Sequence, residues 1–475
     1  MKTYFHTLFI VLAMVVTACE DRLDEEVFSE LAPTNLLVTE EGINSLLNSA
    51  YTFGHRSGGD TSWSPYYMAS MPAGEVWGAG GGIESLWQAL IDHTWDSNHS
   101  QIRTQWIGYY RCIRDANIVL DNLDNADFSS EFIQTKEAEV HFLRGWAYTE
   151  LYNLFGAVPL YTSPSDDPLL PRASEAEVQG FIEQELNLAS NTLPVENDFG
   201  RGTRGAALGI LAKYHLNRRQ WQEAADIARQ IMGLGVYELL PDYNEVFSIE
   251  NEGNNELLWA LPKDAAGVST FQQLNALIFP PDFPRPFPNN GVFAARTYLF
   301  DDFVNSFDLN DVRKNLIVTE YESTAGGALV QGLGNDQSFP FKIEFDPNSV
   351  GARAGNDIPI IRYADILLTL AEALNEISGP DQEAVDLINQ VRSRAGVPTL
   401  DIAGFTQASL RETIFRERGW EFWFEGKARE DQIRQGVFIS RAQERGKITG
   451  DFRVLFPIPE RELDANSNLV QNPGY

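Results

Sequence analysis

Apolar positions along this chain recur mostly at the three-and-four spacing of helices. Leu208, Leu211, Ala212 and His215 form one stripe; after a break at 217–220, Trp221, Ala224, Ala225, Ala228 and Ile231 form a second. Such spacing puts each set on one helical face. Tyr363, Ile366, Leu367, Leu370, Ala371 and Leu374 make another stripe, and the turn Ser378-Gly379-Pro380 separates it from Ala384, Leu387, Ile388, Val391 and Ala395. Weaker pairs run from 106–123 with 131–155, and from 175–193 leading into Gly205. The pattern predicts a mostly α fold of about four helix pairs.

Two segments break this period. Between about 239 and 345 Pro, Gly, Asn and aromatic residues dominate, as in Phe279-Pro280-Pro281-Asp282-Phe283-Pro284-Arg285-Pro286-Phe287-Pro288. Proline at that density forbids regular helix or a central strand, so an ordered loop region with a few short strands is expected. A second loop-rich region, about 54–99, holds Trp63, Tyr66, Tyr67, Trp77, Trp87 and Trp95. Trp87 sits in a helical-looking stretch and is assigned to the core. Trp221 followed by alanines three and seven positions later resembles the second half of a tetratricopeptide repeat. A generic helical bundle with small interface residues would show the same period. Since the loop region interrupts the pairs, no simple solenoid is expected.

The N-terminus changes the picture. Lys2 precedes a short apolar run, 8–16, and then Val16-Thr17-Ala18-Cys19. The run is shorter than the roughly 20 apolar residues needed to span a bilayer and reads as a cleaved export signal over 1–18. The four residues ending in Cys19 resemble a bacterial lipobox, which makes Cys19 the expected lipidation site; an ordinary secretory signal that happens to carry a cysteine is the alternative. Glu20-Asp21-Arg22-Leu23-Asp24-Glu25-Glu26 opens an acidic, solvated tether over 19–34. The folded body is expected over 35–475.

Thirty-six basic against sixty-seven acidic residues leave a net charge of −31. Such a field repels phosphate backbones, so nucleic acid is excluded as a partner. It also disfavours anionic polysaccharides unless a local basic patch intervenes. Of the two cysteines, Cys112 has no partner once Cys19 is lipidated, and it is read as a small core residue.

Several longer motifs occur in order. They are Ala138-Glu139-Val140-His141-Phe142-Leu143-Arg144-Gly145-Trp146-Ala147-Tyr148, with the exit Phe155-Gly156-Ala157-Val158-Pro159-Leu160, then Ile361-Arg362-Tyr363-Ala364-Asp365 and Ile388-Asn389-Gln390-Val391-Arg392. Arg416-Glu417-Arg418-Gly419-Trp420-Glu421-Phe422, Glu425-Gly426-Lys427-Ala428-Arg429-Glu430-Asp431 and Gln471-Asn472-Pro473-Gly474-Tyr475 complete the set. Together they resemble the SusD/RagB family of Bacteroidota outer-membrane lipoproteins, from the lipobox to the last residue. The resemblance implies tetratricopeptide-like units under a loop-rich ligand face. It also implies a surface lipoprotein that captures oligosaccharide or polysaccharide, or in some members peptide, for a TonB-dependent (SusC-like) transporter. The loops at 54–99 and 239–345 match no motif, so it implies a role without naming a substrate.

The charged residues from Arg416 to Asp431 read as a structural ion-pair network, with pairs such as Glu417–Glu421 at helical spacing and arginines interleaved. No nucleophile elbow, zinc pair or phosphate loop is present: His93 and His99 are wrongly spaced for one helical face, 78–82 lacks the Lys-Ser/Thr, and 308–311 breaks the calcium-loop pattern at Val312. No catalytic residue, metal or cofactor is therefore expected. A glycan-cleaving enzyme, with two carboxylates about 5–9 Å apart, is the rival class. The expected ligand site is aromatic, because a pyranose offers an apolar face and a hydroxyl rim. Trp63, Tyr66, Trp77 and Trp95 are its candidate floor, Asn98 its hydrogen-bonding group and Phe283 and Phe287 a second wall. The plain alternative is that these rings pin irregular loops to the scaffold. The charge favours a neutral glycan, such as a β- or α-glucan.

Overall fold

The apolar stripes become helices that stack in chain order. In the computed structural model, which describes residues 36–59, 65–124, 126–267 and 270–475, α1 (Glu40–Gly59) leads to α2 (Pro65–Ala73), β1 (Val76–Ala79) and α3 (Glu84–Ile91). Then come α4 (Ser100–Asn122), α5 (Ser130–Phe155), α6 (Glu175–Thr192), α7 (Arg204–Asn217) and α8 (Trp221–Gly233). Side-chain caps set several starts: Ser129 accepts the Phe132 N–H at α5, Thr203 the Ala206 N–H at α7, and Ser174 with Glu177 forms a reciprocal capping box at α6. α1 packs on α4, and α4 through α8 pack each on the next. Gly145 allows the close approach of α5 and α6, since a Cβ there would stand 2.7 Å from Leu186 Cγ. Segments 1–18 and 19–34, with Cys19, lie outside the described residues, as does Trp63.

The loop-rich stretch that follows contains only short elements: β2 (Leu257–Leu261), α9 (Leu274–Ile278), β3 (Arg296–Leu299), α10 (Asp301–Asn305), β4 (Ile317–Val318), β5 (Glu320–Glu322), β6 (Leu329–Gln331) and β7 (Phe339–Pro340). β8 (Ile358–Arg362) then runs directly into α11 (Tyr363–Ser378), α12 (Gln382–Arg394), α13 (Gln407–Phe422), α14 (Ala428–Arg434), α15 (Phe438–Glu444) and α16 (Glu460–Ala465). Among the described residues every sheet is a two-stranded ribbon, pairing β1 with β3, β2 with β8, β4 with β7 and β5 with β6. The antiparallel β2–β8 pair closes the base of the excursion, with Leu257 opposite Arg362 and Leu261 opposite Ile358. α8 packs against α11. The tetratricopeptide-like stack that is interrupted in sequence is thus continuous in space.

The region 54–99 is more helical than its composition suggests. Pro65 occupies the first position of α2, where a missing N–H costs nothing, and the aromatic residues of α2 and α3 obscure a helical period. Trp87 is fully buried, and Cys112 lies free in the core, where burial pushes its thiol far above the ordinary range. The C-terminus is docked: the Asn472 amide donates to the carbonyls of Phe155 and Phe456, and the Tyr475 hydroxyl to that of Leu455.

What fastens the loop-rich stretch to the helices is a buried ionic network. Arg313, fully buried, grips Asp311 at 2.7 Å and reaches Glu417 at 2.7 Å and Glu421 at 3.3 Å. Arg362 pairs with Glu256 at 2.5 Å, Glu421 at 3.0 Å and Glu425 at 2.8 Å. Arg394 joins Glu256 and Glu421, Arg392 joins Glu417, and Lys342 joins Glu425. Cations and carboxylates balance: Arg313, Lys342, Arg362, Arg392 and Arg394 face Glu256, Asp311, Glu417, Glu421 and Glu425. A second balanced set, Arg418, Lys427 and Arg434 with Asp365, Glu372 and Asp431, ties α11, α13 and α14 together. Arg416 lies outside both sets, exposed, over the Trp420 ring.

Burial alone would raise the Glu421 carboxyl, but Arg394, Arg362 and Arg313 together hold it down at about 2, below its ordinary 4.5. A depressed carboxylate contributes stability that is complete above its unfolded value and lost as pH falls through its folded one. Glu421→Gln should therefore lower the urea midpoint by the equivalent of about 3–5 kcal/mol at neutral pH, the cost of leaving buried charge unpaired. Its penalty relative to wild type should shrink between pH 4.5 and about 2; an unchanged midpoint at pH 7 would refute the role given to the network.

Candidate functional site

The two loop-rich regions meet at one ribbon. β1 comes from the first and β3 from the second, antiparallel, with Val76 opposite Leu299, Trp77 opposite Tyr298 and Gly78 opposite Thr297. Alternation sends Val76, Gly78, Thr297 and Leu299 inward and leaves Trp77, Ala79, Arg296 and Tyr298 on the outer face, each half-buried. Gly78 is needed for this seating, since a Cβ there would meet Trp87 Cε3 at 2.5 Å and the Arg296 carbonyl oxygen at 2.9 Å.

Trp77 and Tyr298 stack at a tilt, ring centroids 4.7 Å apart and planes inclined by 34°. Beneath them the contact continues inward. Tyr298 meets Phe339 at 5.2 Å, Phe339 meets Phe279 at 5.4 Å, and Phe279 meets Phe283 at 4.2 Å and Phe345 at 5.1 Å. Phe279 is fully buried, so the ladder is rooted in the core and ends at the surface on Trp77. The Trp77 indole N–H donates to the Asp336 carbonyl at 2.7 Å, and the Asp336 carboxylate accepts the Asp301 N–H at 2.8 Å at the start of α10. Asp336 adopts a left-handed φ of 55°, a conformation Asp tolerates better than most residues. Ring orientation is thereby fixed from two sides. Burial pushes the Tyr298 phenol up, against a smaller opposing effect of Arg296, so it stays protonated at neutral pH.

The remaining candidates are dispersed. Tyr66 is buried, its hydroxyl donating to the Pro359 carbonyl at 2.9 Å and its ring edge-on to Phe424. Trp95 is buried against Phe456, its N–H on the Tyr475 hydroxyl at 2.8 Å and the Arg453 guanidinium over its ring, so it anchors the C-terminus. Asn98, three residues after Trp95, is exposed, and its backbone N–H donates to Asp96. Phe283 is buried and supports the ladder from below, facing Tyr321 and Phe339 rather than forming an open wall. Phe287 is half-buried against the core. Of the proposed floor, only Trp77 joins a surface platform among the described residues. Sequence reasoning missed Tyr298, Phe339 and Asp336; the available signal was the short alternation of 296–299 between turn residues.

No group of three metal-ligating side chains occurs among the described residues. Nor is any described helix long and apolar enough to cross a membrane. One perturbed carboxyl stands near the ribbon: burial raises Glu75 to about 7, with the Ser70 hydroxyl opposing by donating to it at 2.5 Å.

Comparison with known proteins fits this architecture. Residues 343–475 match the model described as the SusD family, and residues 21–216 match one described as starch-binding associating with outer membrane. A SusD-like protein of Formosa agariphila is 28% identical, with 100% of both chains covered. The starch-binding protein SusD of Bacteroides thetaiotaomicron is 25% identical over 79% of each chain. Among solved structures, a laminarin binding SusD-like protein superposes with a TM-score of 0.79 at 24% identity, covering 92% of this chain and 100% of its own. Surface glycan-binding protein A from Bacteroides fluxus gives 0.78 at 23% identity, covering 92% and 100%.

The placements separate two tryptophans of one segment. Trp95→Ala should cost about 3–5 kcal/mol, as for a large buried ring, whereas Trp77→Ala at the half-open end of the ladder should cost about 1 kcal/mol. Parallel thermal melts check this, and equal losses would contradict the assignment.

Proposed function

The chain belongs to the SusD family, and from that premise we propose that it is an outer-membrane lipoprotein that binds glycan on the Trp77–Tyr298 platform. The observation that carries this reading is the aromatic ladder rooted in Phe279 and ending half-open at Trp77. A pyranose lays its C–H face on such a surface and turns its hydroxyls to polar neighbours. Because the Trp77 N–H is already bonded to Asp336, the indole offers its face rather than a donor. The Tyr298 hydroxyl, without a hydrogen-bond partner among the described residues, and the Arg296 guanidinium beside it supply the polar contacts. No ring need be ordered on binding, which lowers the entropic cost.

The net charge of −31 favours a neutral glucan over an anionic polymer. Laminarin, named for one structural relative, is such a polymer. The domain reading is a signal over 1–18, lipidation at Cys19, an acidic tether to 34 and one body over 35–475. An anchored protein cannot itself carry ligand across the membrane, so a TonB-dependent (SusC-like) transporter is the proposed recipient. Binding rather than cleavage is proposed because relatives are named for binding starch and laminarin, and the perturbed acid beside the ribbon, Glu75, is held by Ser70.

Affinity electrophoresis against laminarin, starch, acidic polysaccharides and peptides tests the reading. Wild type should bind a neutral glucan and release no sugar on long incubation. Trp77→Ala and Tyr298→Ala should each weaken binding about 10-fold or more, the loss of one stacking partner. Binding of peptides alone, or released sugar, would overturn the proposal. In cells, Cys19→Ala should abolish fatty-acid labelling, and wild type should co-purify from native membranes with a large outer-membrane barrel.

A further inference from the structure

Beside the β1–β3 ribbon lies a cleft of about 550 Å³ that the platform does not use. Its walls are α10, α13, α14, α15 and the segment 73–75. Half-buried Trp420, Phe415 and Phe303 give it an aromatic lining, and the Trp420 N–H donates to the Ser306 hydroxyl at 3.0 Å. Arg416 lies over the Trp420 ring at 5.3 Å and Arg441 over the Phe415 ring at 4.7 Å. Rim charges balance, with Arg416, Arg441 and Arg445 against Asp302, Glu412 and Glu444. That combination of flat apolar rings and mixed donors and acceptors suits a neutral polyhydroxylated ligand and gives an anion no net attraction.

The helix wall of the cleft is open at one point. Gly419 lines the cleft in the interior of α13, where glycine disfavours helix. Packing does not require it: a Cβ there would meet nothing within 4 Å, in contrast to Gly145 against Leu186. A glycine beside Trp420 lets a bound ring lie directly on the helix backbone.

Platform and cleft also share a wall. Glu75, in the cleft, stands two residues from Trp77, about 7 Å at strand spacing. Asp302 and Phe303 follow Tyr298 closely on the chain, and Asp336 bonds both the Trp77 indole and the Asp301 N–H of α10. We propose that this cleft is a second saccharide subsite, taking the continuation of the glycan chain whose first units lie on Trp77 and Tyr298. The proposal rests on the glycan reading above and adds that the protein selects for chain length.

Isothermal titration with two neutral series, maltose to its octasaccharide and laminaribiose to its octasaccharide, decides it. In the series that binds, wild-type affinity should rise with length. Gly419→Trp, whose Cβ enters open space and whose ring occupies the cleft, and Trp420→Ala should each lose that rise, about 10-fold on the octasaccharide, while binding the shortest bound member as wild type does. Gly419→Ala, with unchanged circular dichroism, should blunt the rise in part, since its Cβ holds a bound ring off the helix backbone. Trp77→Ala should weaken every length. If Gly419→Trp folds and binds the octasaccharide like wild type, or weakens all lengths equally, the second subsite is refuted while platform binding stands. If glycan affinity is unchanged but co-purification with the barrel falls, the cleft is a protein interface and the inference is overturned. Failure of wild type to bind either series would instead remove the functional reading itself.

Discussion

The buried ionic network around Arg313, Arg362 and Glu421 is the constraint on which the rest of the structure depends. The loop-rich stretch has only two-stranded ribbons of its own, too little regular hydrogen bonding to hold a defined surface. Its position is dictated instead by charges that cannot be left unpaired once they are out of water. Each desolvated cation costs several kcal/mol unless its partners are all in place, so Asp311, Arg313 and Lys342 in the loops must meet Glu417, Glu421 and Glu425 near the end of α13 in one arrangement. Arg362, last residue of β8 and N-cap of α11, stands at the junction of ribbon and helical stack.

That fixed arrangement makes the aromatic ladder possible. Phe279, Phe283, Phe339 and Phe345 come from parts of the loop-rich stretch with no common helix or sheet to align them, yet they pack within ordinary ring-contact distance. The ladder turns a set of loops into a rigid support, and its last two rings stand half-buried on the outer face of the β1–β3 ribbon. Asp336 adds a separate restraint at the outer end, so Trp77 is held by a hydrogen bond at its edge and by Tyr298 on its face. A surface of this kind presents a shape already made, which suits the glycan platform proposed for it.

The charge balance of the clamps has a further consequence. Although the whole chain is strongly acidic, its two buried networks are neutral: their carboxylates are matched by arginines and lysines. The excess negative charge therefore lies outside these networks. Around the site, Arg296, Arg416 and Arg441 locally offset that field, leaving neutral polar ligands the ones least opposed.

Much of the scaffold was legible in the sequence because helices are specified by neighbours a few residues away. The stripes at 208–231 and 363–395 each carry their own local explanation, and the ordered motifs identified the family. The site was legible only as a composition. Trp77 and Trp95 look alike in sequence, both aromatic in an irregular segment. What separates them is contact with Asp336, 259 residues away, and with Tyr475, 380 residues away. Burial of a ring is decided by what packs against it, and no local period records a partner at that distance. By itself the sequence determined the helices, the charge and the family; only the tertiary structure decided which rings became core and which became surface, because exposure belongs to the packed assembly and not to the residue.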